Sequence, residues 1–87
     1  MPVMDLSHPQ AIVERGEEIY KTKYKDDFER RHLGHFVAID VISEQAYLAD
    51  TAELSLANAR ENSPNGIFHL IRVGSPGAFR VSRRASR

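Results

Sequence analysis

His32 and His35 stand three residues apart, and imidazole nitrogens joined by a carboxylate are ordinary ligands for a divalent metal. His8, His69 and Asp27 are the side chains that folding would have to add. The pair runs from a charged helix end through Gly34 into a strand, so no regular helical spacing aims both rings at one ion, and the pattern is read as holding no metal. Asp26, Asp27 and Glu29 offer carboxylates for acid–base work, but in the run KDDFERRH they read as a solvated, charge-laced helix end. Asp40 differs, because a carboxylate inside an apolar strand must face solvent, cap something or meet a base; Arg72 is the cross-strand partner this suggests. Serines 7, 43, 55, 63, 75, 82 and 86 lie in no nucleophile-elbow pattern, and GSPG is a turn rather than a phosphate loop. No catalytic residue and no cofactor is expected.

Arginine carries the clearest signal. All 12 acidic residues lie between Asp5 and Glu61, while Arg72, Arg80, Arg83, Arg84 and Arg87 give residues 67–87 a charge of +5. Residues 1–66, with seven basic side chains, sum to −5, so a chain of net charge zero is a dipole in sequence. Clustered guanidinium groups bind phosphates or the carboxylates of an acidic partner, which makes these five arginines the candidate binding residues for a protein or a nucleic acid. Only Phe68 and Phe79 stand among them as aromatic platforms for bases.

The elements that must position these groups follow from periodicity and punctuation. Ser7 and Gln10 have capping-box spacing, and Pro9 suits the first helical position with His8 as the cap. Ile12, Val13, Ile19, Tyr20, Tyr24 and Phe28 then recur at threes and fours, predicting one amphipathic helix that ends between Tyr24 and Arg31. After Gly34 the run HFVAIDVI is β-branched and apolar on both faces, predicting a central strand. Ser43, Glu44 and Gln45 turn into a short strand, AYLA. Asp50 with Glu53 marks the start of a helix that runs to Asn62, where NSPNG ends it. IFHLIRV and AFRVS, joined by GSPG, read as a hairpin. The prediction is α+β, ordered helix, strand, strand, helix, strand, strand, with the helices on one face of a small, mainly antiparallel sheet. Residues 1–87 form a single domain, with 1–6 and 83–87 expected to be flexible.

An 87-residue chain has room for one core and little for an enclosed cofactor cavity, which favours a groove or flat face as the binding surface. The hydrophobic share of 41% and charged share of 28% fit an ordinary globular domain. No apolar run reaches the roughly 20 residues of a membrane span, and the opening MPVMDLSHPQ does not read as a secretory signal, so a cytoplasmic protein is expected. With no cysteine, thiolate chemistry and disulfides are excluded.

Through GHFVAID, the YLAD strand and the IRVG element, the chain resembles, over about Glu17 to Val81, a group of small bacterial proteins of uncharacterised function. The resemblance implies a helix, a glycine, a strand of the form FVAID, a second helix and a closing strand ending in RVG; some of these proteins are described as antitoxin-like. With no catalytic constellation left over, the expected function is a non-enzymatic protein-interaction module, antitoxin-like or regulatory, whose edge strand AYLA or AFRVS accepts a partner strand by backbone pairing or whose long acidic helix docks a basic surface; a protein partner and a homodimer are the assemblies this allows. A nucleic-acid-binding domain using the arginine-rich segment is the alternative.

Overall fold

The computed structural model describes residues 8–74 and 80–84, the last five through their backbone. Helix α1 (Pro9–Ile19) starts as expected: His8 is the extended cap and Pro9 the first helical residue, where its missing N–H costs nothing. A five-residue π-helical turn (Tyr20–Tyr24) continues α1 into α2 (Lys25–Arg31), and the Lys25 N–H reaches back to the Tyr20 carbonyl. The wider turn offsets the drift that residues spaced strictly by four would show on a 3.6-residue helix, so Tyr20, Tyr24 and Phe28 stay on the core side.

Strand β1 (Phe36–Asp40) is followed by β2 (Ala46–Ala49), helix α3 (Ala52–Asn62), β3 (Ile67–Arg72) and β4 (Arg80–Arg84). The four strands form one antiparallel sheet in the order β2-β1-β3-β4, so β1 is central as its two apolar faces required. Val37 and Ile39 pack with Ile67 and Ile71 beneath Ile12, Ile19 and Tyr20 of the first helical run. Ala38 packs with Phe68 and Leu70 against Leu56 and Ala59 of α3. The helices therefore cover opposite faces of the sheet, which corrects the expectation of helices on one face. The physical reason lies in β1 and β3 themselves: both strands are apolar on both sides, and a single helical layer would leave one side in water.

The fourth strand, expected over 78–82, is placed at Arg80–Arg84, so Arg83 and Arg84 belong to the sheet backbone rather than to a free end. α1 crosses β3 closely, with Gly16 over the ring of the fully buried His69. His69 Nε2 lies 2.8 Å from Glu17 Oε2, so this buried imidazole is satisfied within the fold. Helix α3 starts one residue later than the Asp50 signal suggested, because Thr51 is its cap and accepts the Leu54 N–H at 3.1 Å. Thr51→Ala should lower stability by about 1 kcal/mol in urea unfolding, with the helix otherwise retained.

Candidate interface

The sheet divides the candidate arginines, with Arg72 and Arg80 towards one end of β3 and Arg83 and Arg84 at the other. Arg72 is exposed at the Phe36 end, its guanidinium carbon 5.9 Å from the centre of the Phe36 ring. In β4 the register sets Arg80 opposite Ile71, Arg83 opposite Phe68 and Arg84 opposite Ile67. Arg72 and the Arg83–Arg84 pair are thus at opposite ends of β3, roughly 17 Å apart along a strand rising about 3.4 Å per residue. Arg87 lies outside the described residues.

Asp40 does not pair with Arg72. The two are at opposite ends of the β1–β3 ladder, where Asp40 faces Phe68 and Arg72 faces Phe36. Instead Asp40 holds the β1–β2 turn: Oδ1 accepts the Ile42 N–H at 3.0 Å and Oδ2 accepts the Ser43 hydroxyl at 2.9 Å. His32 and His35 meet ring edge to ring face, 5.5 Å between centres, and His35 Nε2 lies 2.9 Å from Asp50 Oδ1. Among the described residues no group of three His, Asp or Glu side chains could hold a metal ion.

The structure instead brings together an edge that the arginines do not mark. Strand β2 ends the sheet and carries Ala46, Tyr47, Leu48 and Ala49, with no charge and no proline. The Asp40 N–H bonds the Gln45 carbonyl, which fixes the phase of the ladder: Gln45, Tyr47 and Ala49 turn their backbone groups towards β1. By that alternation the N–H and C=O groups of Ala46 and Leu48 point away from the sheet.

A row of half-buried rings links the residue before this edge strand to the residue after it. Tyr24 donates its hydroxyl to the Glu44 carbonyl, just before β2, at 2.7 Å. Phe28 stacks on Tyr24, His32 meets Phe28, His35 meets His32, and His35 binds Asp50, just after β2. Tyr24, Phe28, Ala46 and Leu48 all pack against the same buried cluster on this face of the sheet. On the other face, the Tyr47 hydroxyl is 2.9 Å from Ser63 Oγ.

The turn into β2 is clamped as well. Glu44 has a left-handed φ of 68°, uncommon for a side chain of its size, and its carboxylate is held by Arg15 of α1 and by Lys23 of the π turn. Two cations, a tyrosine hydroxyl donor and a strained backbone at one residue fix where the edge strand begins.

Comparison with protein-family models, with curated proteins and with solved structures finds no match for the chain. Among the described residues no helix is long and apolar enough to cross a membrane.

Tyr24, Phe28, His32 and His35 were visible in sequence, the first three at a strict spacing of four. That spacing was the available signal. AYLA was expected as an edge strand and is one; what the sequence did not show is that these rings link the residues on either side of it.

Proposed function

We propose that this domain is a non-enzymatic protein-binding module of the cytoplasm, which takes an extended segment of its partner as an added strand beside β2. One observation carries the reading: an uncharged edge strand with outward-facing backbone groups is spanned by a row of aromatic rings that is tied to the residue before it and the residue after it. Strand addition draws affinity from main-chain hydrogen bonds and specificity from pockets for alternate side chains, and this edge offers both. The edge is also preorganised, since one end is tied to the helical layer through Glu44 and the other to the loop before β1 through Asp50, so little ordering remains to oppose binding.

The contrast with the other edge supports the choice. β4 carries three arginines in RVSRR, and charged side chains on an edge are a common defence against unwanted pairing. β2 has no such defence. The antitoxin-like character implied by the resemblance fits a module whose work is to hold another protein.

Amide hydrogen exchange on the complex tests the reading. Ala46 and Leu48 should exchange quickly in the free domain and become strongly protected when the partner is bound. Protection confined to α3 or to residues 80–84, with Ala46 and Leu48 unchanged, overturns it.

The exposed Arg72 beside the Phe36 ring supports the second reading, a nucleic-acid surface along β3 and β4. That reading requires affinity for single-stranded DNA or RNA that falls steeply as salt is added. Absence of binding at low salt removes it.

A further inference from the structure

Asp40 is only 2% exposed, yet it forms part of the wall of an open depression of about 260 Å³ between the β1–β2 turn and the α3–β3 loop. Ile42, Ser63, Pro64, Asn65 and Gly66 complete the lining. The carboxylate accepts one hydrogen bond on each oxygen, both from neutral donors of its own turn. A carboxylate offers about four lone-pair positions, so about half of its capacity is unused. Among the described residues, no lysine, arginine or histidine nitrogen forms an ion pair with it.

Burying a negative charge is costly unless a cation or further donors meet it. Gly66 packs directly against this group: a Cβ there would come within 2.6 Å of the Phe68 ring and 2.9 Å of Asp40 Oδ2, so any larger residue at 66 would crowd the carboxylate. Ile42, at 57% exposure, and Pro64 give the rim an apolar surface suited to the methylene stem of a long side chain. Tyr47 of β2 bonds Ser63 of the same lining, so the depression adjoins the α3 side of the edge strand.

We propose that this depression receives an arginine side chain of the protein partner, its guanidinium meeting Asp40 and its stem lying along Ile42 and Pro64. Arginine is preferred to lysine because a guanidinium is more weakly hydrated and presents a planar fork of donors to a carboxylate. The inference rests on the reading of the domain as a protein-binding module and adds the chemistry of one partner residue.

The test uses the full chain, isotope-labelled, titrated with N-acetyl-arginine methylamide and, separately, with its neutral isostere N-acetyl-citrulline methylamide. The arginine probe should shift the amide resonances of Ile42, Ser43, Asn65 and Gly66 saturably, with the citrulline probe weaker by about tenfold. Asp40→Asn keeps an acceptor for the Ile42 N–H and removes the charge; it should weaken the arginine probe by about tenfold as well. Ile42→Lys, at an exposed rim position, supplies a competing ammonium and should weaken the probe even if the Asp40 variant fails to fold.

No saturable shift at these amides, an equal response to citrulline, or undiminished binding by both variants overturns the proposal. Deleting residues 85–87 separates the remaining occupant: a probe that binds only after the deletion assigns the site to the chain's own C-terminal residues and overturns the partner assignment. Ala46→Pro should leave the titration unchanged, so failure at this depression and failure at the β2 edge are read independently.

Discussion

Gly16→Ala should destabilise the domain by about 3 kcal/mol, although alanine is the better helix former by about 1 kcal/mol. A Cβ at position 16 would lie 2.5 Å from His69 Cβ and 2.7 Å from its Cγ and Cδ2. His69 has no room to yield, being fully buried in β3 between β1 and β4 and joined through Nε2 to Glu17, the neighbour of Gly16. Relief must come from lifting α1 off the sheet, which would open the contacts of Ile12 and Ile19 with Val37, Ile39 and Ile71. Since domains hold roughly 0.1 kcal/mol per residue of stability, the loss is a large fraction of the total. Urea unfolding followed by circular dichroism should show a lower midpoint with an unchanged slope. An unchanged or higher midpoint would mean that α1 does not cross β3 at this distance.

The same contact shows what the sequence could and could not reveal. Gly16 interrupts a helical pattern, and Ile12, Ile19 and Tyr20 announce which side is buried, but nothing local says that a histidine lies beneath the glycine. The order of elements follows from short-range features: Pro9, the two-faced apolar run of β1, and NSPNG after α3. The placement of helices depends on a longer-range balance. Val37 and Ile39 on one side and Ala38 on the other already demand cover on both faces, and the structure meets the demand with one helix on each.

Polar residues were harder to place for the same reason. Asp40 in a strand suggests a cross-strand base, but the turn following β1 supplies nearer partners in Ile42 and Ser43, and a contact across two residues closes at little entropic cost. Glu44 looked like one residue of a polar turn. Its pairing with Arg15 and Lys23 joins positions 29 and 21 residues apart, and a pattern read along the chain carries no record of that. The arginines of 80–84 stood out because composition is a local property; AYLA and AFRVS were both legible as edge strands, and the sheet order makes edges of both, but the rings at the two ends of β2 depend on how the helical run lies against the sheet.

Ala46→Pro should reduce affinity for the protein partner by at least about 100-fold, since it removes one outward backbone donor and places a ring in the path of the added strand. The domain itself should tolerate the change. Ala46 opens β2, the position in a strand where proline is best accommodated, and its N–H faces away from β1. Gln45 keeps its carbonyl bond to the Asp40 N–H, and extended backbone before a proline is the favoured conformation. The loss of stability should therefore stay within about 1 kcal/mol. Ala46→Ser, which retains the donor at nearly the same size, should bind like the native chain, and this pairing of variants isolates the backbone group from the side chain. Equal binding by the proline and serine variants, measured by calorimetry on the purified complex, would move the partner away from β2 and return attention to the arginine-bearing edge.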